Sequence, residues 1–182
     1  MPKQRDLFST DFTLGILGGG QLGKMMLYQT RQWDLRTKVL DLSPDAPARL
    51  ACNTFVAGDL MDYDTVVAFG QDVDLLTIEI ENVNVDALEA LQEQGITVFP
   101  EPKTLRVIQN KAQQKLFYTD CGIPTAPYTR FAYTSEIRDS IQNGGLSFPF
   151  VWKSARFGYD GQGVKIVRDA EALQDLPNVE CI

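Results

Sequence analysis

The sequence predicts an α/β fold, in which a doubly wound, Rossmann-like parallel sheet precedes a second, smaller α+β unit. Over the first part of the chain, short apolar runs alternate with helix-like segments at intervals of roughly 15 to 25 residues, which is typical of parallel strands joined by right-handed crossovers. The first apolar run, 14–17, is followed by Gly18, Gly20 and Gly23 at the G-x-G-x-x-G spacing of a tight turn into a helix.

Each element of this first unit is assigned from the periodicity of its apolar residues. The short loops after the strands would converge on one crevice, which is the usual ligand site of such a sheet. We expect one long helix from Lys103 to about Cys121 at the end of the unit. Before it, strands are expected at 14–17, 37–42, 54–57, 75–80 and 96–99, and helices at 22–33, 63–69 and 85–91.

The order of elements changes after residues 123–127, a segment with two prolines that we interpret as a linker between domains. Ser135 is expected to cap the next helix. The expected elements beyond the linker are a helix at 135–143, strands at 148–153 and 164–167, a short helix at 170–176 and the start of another strand at 180–182.

These patterns divide the chain into a flexible N-terminus at 1–12, a Rossmann-like domain at 13–121 and a partial domain at 122–182. The last unit has two strands and two helices, which is less core than a domain needs to fold alone. We therefore expect the sequence to be an N-terminal fragment that ends inside its second domain.

Composition excludes several classes of function. The net charge of -7 disfavours nucleic acid and anionic membranes as partners, and no apolar run approaches the roughly 18 residues of a membrane helix. Three cysteines, Cys52, Cys121 and Cys181, form no C-x-x-C pair and are typical of reduced thiols in a cytoplasmic protein. Histidine is absent, which excludes Ser/His and Cys/His nucleophiles and histidine metal sites in this chain.

The glycine corner, which we define as residues 18–23, is the first candidate binding site. Such a turn presents backbone N–H groups and the positive end of a helix dipole to an anion. Alternatively, the glycines only allow a helix to pack closely on the sheet. Asp41 lies about 20 residues further on, where a dinucleotide fold places its ribose-binding carboxylate, so a nicotinamide-dependent dehydrogenase is plausible from these residues alone.

A second candidate site follows the apolar run that ends at Lys153. Gly158, Gly161 and Gly163 punctuate the next segment, and a lysine beside a glycine-rich loop suits the oxygens of a phosphate. The Walker pattern G-x-x-x-x-G-K-[ST] is missing. The alternative is an ordinary hairpin turn with an incidental lysine.

Taken together, the motifs resemble the ATP-grasp superfamily and, within it, the N5-carboxyaminoimidazole ribonucleotide synthases, the ATPase subunits of phosphoribosylaminoimidazole carboxylase. The resemblance covers nearly the whole chain from Thr13, with five motifs in the family's order and spacing. They are GILGGGQLGKMM (15–26), TIEIEN (77–82), QNKAQQK (109–115), IPTAPY (123–128) and FGYDGQG (157–163).

The resemblance implies a pre-ATP-grasp domain followed by part of the ATP-grasp lid. It implies that ATP phosphorylates bicarbonate to carboxyphosphate, which delivers CO2 to 5-aminoimidazole ribonucleotide with release of ADP and phosphate. ATP and Mg2+ are the implied cofactors, and a homodimer is implied for the full-length enzyme. The family's adenine-hinge strand and magnesium-binding carboxylates are expected beyond Ile182, so we expect this fragment to be inactive alone.

The resemblance also assigns residues. Tyr159 would lie near the bicarbonate and the substrate as the catalytic candidate. Glu81 and Asn82 follow a strand that we expect to face the glycine corner, and Gln162 departs from the arginine or lysine of many relatives, which puts an electrostatic role there in doubt. The ATP-binding candidates are Lys111, Lys153, Gly158, Tyr159, Asp160, Gly161, Gln162 and Gly163, and the substrate-binding candidates are Gly20, Gln21, Leu22, Glu81 and Asn82.

Two other classes stay open at this point. A related ligase, the formate-dependent glycinamide ribonucleotide transformylase, also begins with a strand and a glycine turn, but it normally lacks the Gly-Tyr-Asp-Gly loop. A non-catalytic nucleotide-binding module would keep the same fold without the chemistry. Within the resemblance, Asp41 has no assigned role.

Overall fold

The computed structural model describes residues 9–156, 158 and 163–182. Contacts divide the chain into two compact units, with the division between Arg106 and Val107. This division lies before the boundary that we predicted after residue 121. Within the described part of the chain, no helix combines the length and the apolar composition needed to cross a membrane.

The first unit is built on a five-stranded sheet in which every neighbouring pair of strands is parallel. The strand order is β3-β2-β1-β4-β5, and a helix connects each pair of consecutive strands except β2 and β3. This confirms the doubly wound α/β fold. The elements are β1 (Thr13–Leu17), α1 (Gln21–Arg31), β2 (Arg36–Asp41), β3 (Thr54–Ala57), α2 (Tyr63–Gly70), β4 (Leu75–Ile78), α3 (Val85–Glu93), β5 (Thr97–Phe99) and α4 (Pro102–Ile108).

Strand β1 lies at the centre of the sheet, and its Ile16 and Leu17 side chains are fully buried, as expected for a strand covered on both faces. Leu17 pairs with Leu40 of β2 on one side and with Ile78 of β4 on the other. The chain builds β2 and β3 on one side of β1 and then crosses to build β4 and β5 on the other. The carboxyl ends of β1 and β4 therefore flank a topological switch point, where ligands bind in open parallel sheets.

Two polar side chains fix the starts of helices in this unit. The carboxylate of Asp62 accepts the N–H of Thr65 at 2.8 Å, and Asn84 Oδ1 accepts the N–H of Ala87 at 2.9 Å. These N-caps satisfy backbone donors that a helix leaves unpaired in its first turn. The hydrogen bond from Thr65 also lowers the pKa of Asp62.

The second unit is a smaller α+β assembly. Its core contains Trp152, which is buried and whose indole N–H donates to Thr134 Oγ1 at 3.1 Å. The Thr134 hydroxyl in turn donates to the carbonyl of Pro177 at 2.7 Å. The elements are α5 (Lys111–Asp120), α6 (Glu136–Gln142), β6 (Phe150–Lys153) and β7 (Val164–Val167), with β6 and β7 antiparallel.

The final residues lie beside β6, as the sequence predicted for 180–182. The N–H and C=O of Ile182 bond to the C=O and N–H of Lys153, each at 2.9 Å. Cys181 forms a reciprocal pair of bonds with Phe131 on its other side. Cys181 thus pairs with Phe131 and with Ser154, and the pairing is too short to form a full strand.

Three expectations about helices were wrong. The single helix expected at 103–121 is two helices, because the extended backbone of Asn110 separates α4 from α5. Ser135 stands before α6 but makes no side-chain cap, and its N–H donates to Asn178 Oδ1 at 3.0 Å. Residues 170–176 form turns, in which Asp169 Oδ1 accepts the N–H of Ala172 at 2.9 Å.

Candidate functional site

The glycine corner follows β1 at the switch point of the sheet. Gly18 has φ +99°, which is a left-handed conformation that glycine adopts without strain, and its N–H donates to the carbonyl of Leu40 at 2.9 Å. Helix α1 begins after Gly20, which provides no side-chain cap. The N-terminal N–H groups of α1 are therefore available to an acceptor from elsewhere.

Asp41 supports the glycine corner from β2. One carboxylate oxygen accepts the N–H of Gly19 at 2.6 Å, and the other accepts the N–H of Ser43 at 2.8 Å. The carbonyl of Gly19 accepts the N–H of Ala48 at 2.9 Å, so the backbone of this glycine is held at both ends. The role that we left unassigned for Asp41 is thus a contact with the glycine corner.

The carboxylate of Glu79 lies over the same corner. Its Oε1 accepts the N–H of Gly23 over a long 3.4 Å, so the contact is a weak helix cap. A β-carbon built on Gly20 would lie 2.6 Å from Oε1, and one built on Gly18 would lie 2.7 Å from Oε2. The glycines therefore make room for a carboxylate, and Glu79 occupies the position where an anionic ligand would meet the helix dipole.

Sequence reasoning did not decide between a functional carboxylate and a solvated or helix-capping one at Glu79, and it did not place this residue among the site residues. It placed the end of the fourth strand at residue 80 and therefore favoured Glu81 and Asn82. Strand β4 ends at Ile78, so Glu79 is the first residue after the strand and its N–H donates to the carbonyl of Leu17 at 2.7 Å. The signal that could have identified Glu79 was a glutamate directly after a strand whose carboxyl end faces the glycine corner.

The other substrate-binding candidates lie in the same unit. Gln21 and Leu22 are exposed in the first turn of α1, and the Leu22 side chain is 66% exposed. Glu81 is exposed and Asn82 is half-buried on the segment between β4 and α3. Their assignment to substrate remains a prediction.

Two of the candidate cations lie in the second unit. The Lys111 ammonium donates to the carbonyl of Gly158 at 2.7 Å, and the Lys111 N–H donates to the carbonyl of Ala155 at 2.8 Å. Lys153 is half-buried at the end of β6, with its backbone paired to Ile182. Lys111 thus contacts the backbone of the predicted phosphate loop itself.

The outer face of the β6–β7 hairpin is apolar and ends in a cation. Val151 pairs with Ile166 and Lys153 pairs with Val164, and cross-strand partners share a face. Val151 is 50% exposed and Ile166 is 60% exposed. Trp152, which lies between Val151 and Lys153 in β6, packs into the core on the other face. The face is suited to a flat apolar group joined to an anion.

A cavity of about 670 Å3 lies beside β6 in this unit. Its volume is in the range of sites for ligands of nucleotide size. Two lysines and four aromatic side chains contribute to it. Its lining includes Lys115, Tyr128, Phe150, Val151, Lys153 and Ile182.

The base of the predicted phosphate loop is closed by a close contact between Ser154 and Gly163. The Ser154 N–H donates to the Gly163 carbonyl at 2.9 Å. Gly163 has φ +70°, and a β-carbon there would collide with Ser154 Oγ, so glycine is required. The predicted site residues Tyr159, Asp160, Gly161 and Gln162 lie outside the described residues.

The described residues do not fit a magnesium site. Within 9–156, 158 and 163–182, no group of three or more Asp, Glu, Cys or His side chains is arranged to hold a metal ion. We therefore assign no chemical step to Mg2+ on these residues.

Two family models match successive parts of the chain. The model of the ribonucleotide synthetase preATP-grasp domain matches residues 12–109, and the model of the ATP-grasp domain matches residues 116–180. The first match covers more than half of the chain, whose length is 182 residues.

Curated relatives and solved structures point to the same enzymes. The chain is 35% identical over 167 residues to phosphoribosylaminoimidazole carboxylase of Candida glabrata, covering 89% of this chain and 29% of that protein. It is 29% identical to N5-carboxyaminoimidazole ribonucleotide synthase of Staphylococcus aureus, covering 93% and 46%. The structure of carboxyaminoimidazole ribonucleotide synthase from Aspergillus clavatus complexed with ATP has a TM-score of 0.82 and 29% identity, covering 94% and 47%.

The chain thus spans less than half the length of these relatives. The two family models and the relatives together cover almost all of the chain. The parallel sheet of the first unit is consistent with these matches. The chain belongs to the ribonucleotide synthetase family of ATP-grasp ligases, as a relative of the N5-carboxyaminoimidazole ribonucleotide synthases.

Proposed function

We propose that the full-length gene product carboxylates 5-aminoimidazole ribonucleotide with bicarbonate in an ATP-dependent reaction of purine biosynthesis. The products are N5-carboxyaminoimidazole ribonucleotide, ADP and phosphate. A similar structure, N5-carboxyaminoimidazole synthase from Aspergillus clavatus, is in complex with ADP and 5-aminoimidazole ribonucleotide, and it has a TM-score of 0.78 and 27% identity to this chain. The names and ligands of such relatives support the proposal.

The observation that carries the proposal is the position of Glu79 over the glycine corner. A dinucleotide pyrophosphate at this corner would meet a carboxylate that already lies within 2.7 Å of the β-carbon positions of Gly18 and Gly20. A pyrophosphate bound against these glycines would lie close to the Glu79 carboxylate and would be repelled by it, so a nicotinamide dinucleotide is disfavoured. A carboxylate there instead accepts hydrogen bonds from hydroxyl or amine groups. These are groups that the ribose and the aminoimidazole of the proposed substrate provide.

Asp41 supports the same conclusion. In a dinucleotide fold the carboxylate after the second strand binds the ribose hydroxyls of the cofactor. Here both oxygens of Asp41 accept backbone N–H groups, from Gly19 and from Ser43. Part of the acceptor capacity of Asp41 is thus used by the backbone, which makes this carboxylate a weaker ligand for the ribose of a dinucleotide.

The second unit supports ATP as the other substrate. The apolar face of β6 and β7 is suited to the adenine ring, and Lys153 at its end is suited to a phosphate oxygen. Lys111 would bring a second positive charge to the phosphates while its ammonium stays near Gly158. We propose these contacts as the part of the ATP site that the described residues provide.

In the proposed reaction, a bicarbonate oxygen attacks the γ-phosphorus of ATP and the bond from that phosphorus to the β-phosphate oxygen breaks. ADP leaves, and the resulting carboxyphosphate breaks into CO2 and phosphate. The exocyclic amine of the ribonucleotide then forms an N–C bond with CO2 and loses a proton. Lysine charges stabilise the transferring phosphoryl group, and a loop that covers the phosphates would exclude water from the labile intermediate. Tyr159 remains the predicted neighbour of bicarbonate.

The experiment is an assay of ADP release by the full-length gene product. We expect ADP only when ATP, bicarbonate and 5-aminoimidazole ribonucleotide are all present. The 182 residues alone are expected to give no turnover. ADP release that is unaffected by omitting the ribonucleotide would contradict the proposal.

We also propose a homodimer, which light scattering of the full-length product would test.

A further inference from the structure

We infer that Asn110 is a positioning residue for Lys111. Its carboxamide caps the start of α5, and Lys111, the next residue, then contacts the backbone carbonyls of residues 155 and 158. Asn110 is 2% exposed, so its polar side chain is buried and its hydrogen bonds must be supplied by the protein. Asn110 lies outside the candidate site. Its role rests on the proposed function, in which Lys111 contacts ATP, and it explains how that lysine is held.

The carboxamide of Asn110 makes three hydrogen bonds at the start of α5. Oδ1 accepts the N–H of Ala112 at 2.9 Å and the N–H of Gln113 at 3.1 Å. Nδ2 donates to Glu180 Oε2 at 3.3 Å. A single side chain thus caps the helix and ties its start to the segment just before the chain's last residues.

The break at Asn110 determines what the backbone of Lys111 contacts. In an uninterrupted helix, the N–H of Lys111 would donate to the carbonyl of Val107, four residues earlier. Because Asn110 has an extended conformation, with φ −125° and ψ 106°, the Lys111 N–H donates instead to the carbonyl of Ala155 at 2.8 Å. The pattern of residues 103–121 favours one helix, and the buried asparagine overrides that pattern.

The position of the Lys111 side chain follows from the position of its backbone. Lys111 is the first residue of α5, and its ammonium donates to the carbonyl of Gly158 at 2.7 Å. Both ends of the lysine therefore contact the segment after β6. Loss of the cap would let the first turn of α5 fray, and Lys111 would then sample positions away from this segment.

The test measures the acylation rate of each lysine in the full-length gene product, with an amine-reactive acetate ester and mass spectrometry. In Asn110→Ala we expect Lys111 to react about fivefold faster than in the wild type, which corresponds to the loss of a typical N-cap. Lys165, an exposed lysine of the same unit, is the internal reference and should keep its rate. The matched control is Asn84→Ala, which removes an equivalent asparagine cap from α3 and should leave Lys111 unchanged.

Asn110→Gly is the second variant, because glycine at an N-cap is well tolerated although it lacks the carboxamide. It should also accelerate Lys111, and it decides the question if Asn110→Ala does not fold. Wild-type reactivity of Lys111 in the folded variant would overturn the inference. So would an equal acceleration of Lys111 and Lys165, because that would show a general loss of structure.

A second arm separates this inference from the proposed function. ATP added to the wild-type chain should slow the acylation of Lys111, and the effect should be weaker in the variant that loses the carboxamide. Absence of any effect of ATP on wild-type Lys111 would count against the proposed ATP contact. The rates measured without ATP would still decide the role of Asn110.

Discussion

The carboxylate of Glu79 and the α-carbon of Gly20 are so close that a β-carbon at position 20 would lie 2.6 Å from Glu79 Oε1. The Glu79 side chain begins at the end of β4 and reaches the first turn of α1, where it accepts the N–H of Gly23. The glycine corner and this carboxylate are therefore one structural unit. The absence of a side chain at Gly20 sets the position of the charge.

Gly20→Ala is expected to move Glu79 without unfolding the protein, because the clashing atom is the end of a flexible side chain. In the full-length product, affinity for 5-aminoimidazole ribonucleotide should fall about tenfold, the loss expected for one hydrogen bond to a charged group. Calorimetry would measure it. Gly145→Ala is the control, since its β-carbon would approach Ser140 Oγ at 3.0 Å in the other unit. Unchanged ribonucleotide affinity in Gly20→Ala would contradict the role of this corner.

Lys153→Ala and Lys165→Ala form a matched pair on neighbouring strands. Lys153 lies on the outer face of the hairpin with Val151, whereas Lys165 pairs with Trp152 on the opposite face. Lys153→Ala should raise the KM for ATP at least tenfold, because a charge-assisted bond to phosphate is lost. Lys165→Ala should leave it within about twofold. Steady-state kinetics of the full-length product test both, and equal effects would show that the face does not bind ATP.

Gly70→Ala is expected to destabilise the first unit. A β-carbon at Gly70 would collide with Cδ1 of Leu91, a fully buried residue of α3. Overpacking of this kind costs about 1–3 kcal/mol. Adding Leu91→Val should reduce that cost, since the shorter side chain leaves room for the methyl group. Urea unfolding measures all three variants, and simple additivity of the two changes would contradict the contact.

The three thiols should differ in reactivity. Burial raises the pKa of Cys181, and burial also raises the pKa of Cys52, so less of each is thiolate at pH 8 than for an ordinary cysteine. Cys121 is exposed. Alkylation with iodoacetamide followed by peptide mass spectrometry should modify Cys121 first and Cys181 last. The rates at Cys52 and Cys181 should rise further as pH increases above 8, and rapid modification of Cys181 at pH 7 would contradict its burial.

Much of the fold could be predicted because apolar periodicity reports burial directly. Strand β3 at Thr54–Ala57 was predicted with its exact ends, and β1 and β2 within one residue. The helix expected at 170–176 was wrong because a few apolar residues at helical spacing also fit turns that pack onto a core, as Leu173 and Leu176 do. Spacing alone does not distinguish the two.

The site was harder to predict than the fold. The family motifs identified the glycine corner, Lys111 and Lys153, but not the contact between Glu79 and the glycines. That contact depends on where β4 ends, and a difference of two residues changes which carboxylate meets the corner. The break at Asn110 was missed for a similar reason, because the asparagine that caps α5 is also held by a hydrogen bond to Glu180, which lies far along the chain.

The most direct test of the central claim uses bicarbonate labelled with 18O and the full-length gene product. If ATP activates bicarbonate as carboxyphosphate, one bicarbonate oxygen stays on phosphorus when the intermediate breaks. The account predicts that the released phosphate carries one 18O atom and that its release requires 5-aminoimidazole ribonucleotide. Phosphate without the label, formed at the same rate as ADP, would contradict the account.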